Sequence, residues 1–163
     1  MGEDRPYTEL ELRRIARQQR SPEFQSWLAR EPEDLARLIT LVPALAELDD
    51  PWTVPGLTAI EDAAMDRFPD PGPSATDEEM QYMALCARGI GHTYLRALGV
   101  GKWVWVQIYR ENPIGPALEV PGDMFYTDPG ESIRDIIFDR RRGWLAEQLR
   151  HLIDLSRQQS QIG

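Results

Sequence analysis

Residues 76–110 read TDEEMQYMALCARGIGHTYLRALGVGKWVWVQIYR, and this stretch decides the fold. Thr76 and Glu79 make a capping box, in which hydroxyl and carboxylate each satisfy an orphan backbone donor. Met80, Met83, Ala84, Ala87, Ile90, Tyr94 and Leu98 then recur at helical spacing, predicting a helix through Leu98 with one apolar face. Gly89 and Gly91 each weaken its middle by about 1 kcal/mol relative to Ala. That cost predicts close packing against another element. Leu98-Gly99-Val100-Gly101 stops the helix, and Lys102–Tyr109 alternates as a strand. Val104, Val106 and Ile108 point to one side of it; Trp103, Trp105, Gln107 and Tyr109 point to the other. A long helix feeding a strand directly predicts an α+β fold, with a spine helix packed on a small antiparallel sheet.

Upstream, the chain reads as short helices. Thr8 and Glu11 repeat the capping box ahead of a stripe of Leu12, Ile15 and Ala16. Ser21-Pro22 places an N-cap before a proline, with Phe24, Trp27 and Leu28 on one face. Pro32 restarts the chain, Leu35, Leu38, Ile39 and Val42 continue it, and Pro43 breaks it. A further helix is expected over Leu57–Phe68. Residues 69–75 hold three prolines and a glycine, which forbid helix or central strand. They read as a connecting loop inside one domain spanning 1–163. Downstream, Asn112-Pro113-Ile114-Gly115-Pro116 is a turn, and Ala117–Val120 pairs back as a second strand. Met124–Tyr126 suggests a third strand. Asp128-Pro129 opens one C-terminal helix and Gly143 separates it from the last, whose polar tail over 157–163 is expected to fray.

The chain of 163 residues carries a net charge of -9. Residues 1–76 hold 15 acids against 8 bases, and residues 77–163 hold 12 against 10. Acidity disfavours nonspecific binding to nucleic acid or anionic membranes and steers basic partners inward. No apolar run approaches the roughly 20 residues of a membrane span, and the charged start Met1–Arg5 lacks the apolar core of a secretory signal. Cys86 is the only cysteine, excluding an internal disulfide or a cysteine metal cluster. The expected compartment is the cytoplasm, with no cofactor and no metal.

Catalytic signatures are missing: there is no G-x-S-x-G, H-E-x-x-H or C-x-x-C. His92 and His151 lie on separate helices. Neighbouring acids such as Glu61-Asp62 point in different directions and read as solvated helix residues. The Arg140-Arg141-Arg142 run reads as cations stabilised by a helix C-terminus. The candidate partner-binding residues are aromatic and acidic. Trp103, Trp105 and Tyr109 make an aromatic strip if one sheet face is open, and core if helices cover both faces. Asp49, Asp50 and Trp52 form one acidic-aromatic turn; Asp123, Phe125, Tyr126 and Asp128 form another.

Ile90-Gly91-His92-Thr93-Tyr94-Leu95-Arg96, Gly101-Lys102-Trp103-Val104-Trp105, Pro116–Val120 and Asp128-Pro129 together resemble a loose group of small α+β proteins of high-GC Gram-positive bacteria. The likeness spans about Leu57 to Leu149, with His92 standing where an acid is commoner. Some of that group look like immunity proteins of polymorphic toxin systems. The resemblance implies no catalytic residue. It implies a protein that neutralises a basic toxin domain by stoichiometric binding. The competing expectations are a small-ligand protein or enzyme with a pocket between sheet and helices, using His92 and Glu119, and a homodimeric adaptor packed through the first three helices.

Overall fold

The computed structural model describes residues 6–72 and 74–162, so Met1–Arg5, Pro73 of the proline-rich loop and Gly163 lie outside the described residues. Among the described residues, five helices precede that loop: α1 (Glu9–Gln18), α2 (Pro22–Ala29), α3 (Glu31–Leu41), α4 (Pro43–Ala46) and α5 (Val54–Arg67). After it come α6 (Asp77–Leu98), β1 (Lys102–Val106), β2 (Gly115–Glu119), α7 (Pro129–Asp139) and α8 (Trp144–Ile162). The architecture is α+β: a helical N-terminal half, a long α6 against a two-stranded antiparallel sheet, and two closing helices.

The start signals form as the residues require. Both capping boxes are made, Thr8 with Glu11 and Thr76 with Glu79, while Ser21 and Asp128 accept from the Phe24 and Gly130 amides. Gly99 closes α6 at φ 70, a left-handed position that glycine adopts without a Cβ penalty. The two mid-helix glycines have the predicted cause. A Cβ on Gly89 would stand 2.4 Å from Leu38 Cδ2, and one on Gly91 would stand 2.1 Å from Trp103 Cη2. The bare backbone is what lets α3 and the sheet approach α6. Around this contact the core gathers Leu38, Leu57, Ile60, Ile90, Tyr94, Leu118, Ile133, Ile136 and Leu145.

The sheet is shorter than its sequence pattern. β1 stops at Val106, opposite Gly115, instead of reaching Tyr109. Beyond it the Gln107 side chain donates through Nε2 to the Arg110 and Asn112 carbonyls, folding 107–112 back on itself. Met124–Tyr126 makes no third strand; only Thr127 bridges Leu118, exchanging both backbone bonds. The free edge of β1 is taken by a side chain. Gln19 Nε2 donates to the Trp105 carbonyl at 2.8 Å, and the Trp105 amide donates to Gln19 Oε1 at 2.9 Å. Trp105 and Leu118 thus turn their backbone groups outward. Pro116, opposite Trp105, shares that outward set, so its missing N–H removes no ladder bond.

Helices cover both faces of the sheet. Val104, Val106 and Ala117 pack with Ile15 of α1, whereas Trp103 and Trp105 pack into the main core. The expected apolar stripe of α1 is only partly used, because Ile15 alone reaches the sheet while Leu12 is 53% exposed. α8 continues through Ile162 and takes in the polar residues 157–162. Its last turns are rich in Arg and Gln, which sustain helix without needing burial.

Three charged side chains tie separate elements together. Glu61, 4% exposed, is not the solvated acid its sequence context suggests. Its carboxylate accepts from the Gly143 and Leu145 amides, both at 2.9 Å, and so caps the start of α8. Arg140 donates to the carbonyls of Met65, Phe68 and Pro69, serving the end of α5 rather than of its own helix. Arg142 pairs with Asp62 at 2.6 Å and Arg141 lies 4.0 Å over the Trp144 ring, so the arginine run is accounted for structurally.

Candidate functional site

A groove of about 510 Å³ opens between α6, the aromatic face of β1 and the 112–116 turn, with the start of α7 closing one end. The α6 wall explains a discrepancy in that helix. The apolar face read from sequence splits: Ile90 and Tyr94 turn into the core beside Tyr82, Leu85 and Cys86, Leu98 packs against it, and Met80, Met83, Ala84 and Ala87 turn largely into the groove. Met80 stays 50% exposed and Ile114, on the opposite lip, 41%.

An aromatic cluster lies behind this wall. Trp27 meets Trp103 edge-on at 4.8 Å, and Phe24 stacks on Trp105 at 5.4 Å between centroids. Trp103 is 9% exposed and Trp105 half-buried, so they form no open strip. Covered by α2 and α6, they are core residues that also line the groove. Tyr109 stands apart at 36% exposure, with its hydroxyl 3.4 Å from Glu131, whose charge raises the phenol above its ordinary value.

Arg88 is the residue that sequence reasoning missed. It sits on α6 between groove and core, 2% exposed, with its guanidinium carbon 3.5 Å over the Trp27 ring. Its Nη2 donates to the Trp27 carbonyl at 2.5 Å, capping the last turn of α2. Burial pulls its pKa below the usual value, opposed by Asp34 and Glu31. The only sequence signal was a charge set among Ala87, Gly89 and Ile90 on an otherwise apolar helix.

The two acidic-aromatic turns behave differently. Asp50 pairs with Arg96 through both oxygens, at 2.7 and 2.5 Å, and the guanidinium holds its carboxyl below the usual range. Asp50 also accepts from the Trp52 amide, and Trp52 packs half-buried against His92. Asp49 is exposed. This turn is therefore anchored rather than open, because Arg96 and His92 on α6 claim its polar and aromatic groups. In the second turn, Asp123 accepts from the Phe125 amide at 3.1 Å and the Thr127 hydroxyl at 3.2 Å. That fixed tip turns Met124 and Phe125 outward, 89% and 63% exposed, while Tyr126 packs on the sheet. Asp128 caps α7 and lines the groove beside Arg134, 3.7 Å away.

His92 and Glu119 do not meet in the groove. His92 Nδ1 lies 3.2 Å from Glu31, and Glu119 is exposed at the end of β2. Among the described residues no group of three His, Cys, Asp or Glu side chains is placed to hold a metal ion, and no helix is long and apolar enough to cross a membrane. Comparison with protein-family models, curated proteins and solved structures gives no match.

Proposed function

We propose that the protein is a non-catalytic, acidic binding module that neutralises a basic protein partner by stoichiometric association, as immunity proteins do. The observation that carries this reading is the tip at 123–127. An ordered carboxylate-stapled turn leaves Met124 and Phe125 in solvent. Large apolar side chains on a preorganised turn are typical anchors, since little ordering entropy is lost when a partner covers them. The net charge of -9 supplies long-range attraction toward a basic surface.

The test is affinity capture of the tagged protein from cells that natively express it, run beside an M124S/F125S variant. The wild type is expected to retain one basic protein at equal stoichiometry. The variant should lose it by roughly thirtyfold in Kd, the equivalent of about 2 kcal/mol at a hot spot, with an unchanged melting temperature. Recovery of the chain alone, or equal capture by both forms, overturns the reading.

A further inference from the structure

None of the 10 residues of α1 is buried, and its apolar side chains take no part in the main core. Isolated helices this short are marginal in water, so packing has to hold α1 in place. Two side chains at its C-terminal end tie it to the sheet. Ile15 packs on Val104, Val106 and Ala117, a small cluster separate from the main core. Gln19 plugs the edge of β1. Its Nε2 donates to the Trp105 carbonyl at 2.8 Å and its Oε1 accepts from the Trp105 amide at 2.9 Å. A side-chain amide carries the same donor and acceptor as a peptide group. Gln19 therefore stands where the backbone of a third strand would pair. Its Nε2 also donates to the Ile15 carbonyl at 2.9 Å, so the plug is bound to the last turn of α1 and leaves with it. Beyond the plug, Pro22 starts α2 afresh under its own Ser21 cap.

We infer that α1 is a displaceable strap, hinged at residues 19–21, that yields the edge of β1 to an extended strand of another protein. Opening spares the main core, to which α1 contributes nothing. It bares the Trp105 amide and carbonyl and uncovers Val104, Val106 and Ala117, which are 3%, 4% and 1% exposed when the strap is closed. An unpaired edge beside an apolar face is the seat of an added strand, whose main-chain bonds give affinity and whose alternate side chains give specificity. The incoming strand replaces the Gln19 amide by a peptide group and Ile15 by an apolar side chain of its own. The closed form is the resting one, and the open form is a minor state reached by local opening. Met124 and Phe125 take no part in this edge. A chain that opens here and captures no basic protein keeps this inference and loses the function proposed above.

The experiment has two readouts on the full chain. Amide hydrogen exchange, followed residue by residue by NMR, should give the α1 amides and the Trp105 amide one shared protection, about a hundredfold below that of the buried α6 amides. Tryptophan fluorescence then follows titration with the blocked peptide KTVTVTVK and with KPVPVPVK, whose prolines lack the N–H that an edge needs. The wild type is expected to bind the first peptide and not the second, and Q19A to bind the first about tenfold tighter because the plug is gone. Undiminished α6 protection shows that Q19A is folded; if it is not, the wild-type exchange and the peptide pair decide alone. Protection of α1 equal to that of α6, equal binding of the two peptides, no binding of KTVTVTVK, or a folded Q19A that binds it no tighter than wild type would overturn the inference.

Discussion

Cys86 and Gly91 occupy neighbouring turns of α6, and each is dictated by what lies against it. Cys86 is fully buried, and burial pushes its thiol up to about 12 from an ordinary 9.0. A thiolate is the reactive form, so at pH 8 the folded protein should resist a disulfide reagent such as DTNB, reacting only as fast as the chain opens. Rapid stoichiometric labelling without denaturant would contradict this burial. Because the folded pKa lies above the unfolded one, the contribution is complete below pH 9 and fades as pH rises through the interval from 9 to 12. At Gly91 the constraint is steric. G91A drives a methyl into the Trp103 ring, and overpacking of this kind costs about 1–3 kcal/mol. Urea melts should show that loss and DTNB should reach Cys86 faster; a G91A protein as stable as wild type would mean the ring is not there.

At the scale of elements, Glu61 shows how far one side chain reaches. It belongs to the middle of α5 yet satisfies two amides at the start of α8. E61A leaves the Leu145 amide buried and unpaired and takes the acceptor from the Gly143 amide, with an expected cost of about 1–3 kcal/mol. E61Q keeps an acceptor and should recover part of the loss. Equal melting of E61A and wild type would remove Glu61 from this role. The same element explains what the sequence can and cannot disclose. Local signals were legible: both capping boxes, Ser21-Pro22, Asp128-Pro129 and the Gly99 stop depend on residues a few positions apart. Glu61 was not, because its partners lie more than eighty residues away and its local pattern is that of a solvated acid. Periodicity gave the apolar faces of α1 and α6 but not what covers them. In α1 only Ile15 found the sheet, and in α6 the Met80–Ala87 face became a groove wall. The strand alternation was visible to Tyr109, yet the ladder ended where the partner strand begins at Gly115, a fact of pairing rather than of β1.

For the molecule as a whole, the proline-rich loop over 69–75 divides the sequence but not the packing. Gln19 closes the edge of β1, Arg88 caps α2 while riding on α6, Glu61 caps α8, and Arg140 caps α5. Each bond joins a residue before the loop to one after it, and Trp27 packs on Trp103 across the same divide. The groove is a product of this closure, since Trp27, α6, β1 and the start of α7 all contribute to it. That is why its composition was invisible along the chain, although Trp103 and Trp105 stand out in the sequence as an aromatic pair on one strand face. If the two halves stabilise each other this way, neither keeps its core alone, and unfolding should be a single cooperative transition. Far-UV circular dichroism follows helices on both sides of the loop, while tryptophan fluorescence follows mainly the Trp27–Trp103–Trp105 cluster at their junction. The two urea curves are expected to superimpose, with one midpoint and one slope. A fluorescence change that precedes the loss of helix would show the junction opening first, and would divide the chain into two units at the loop.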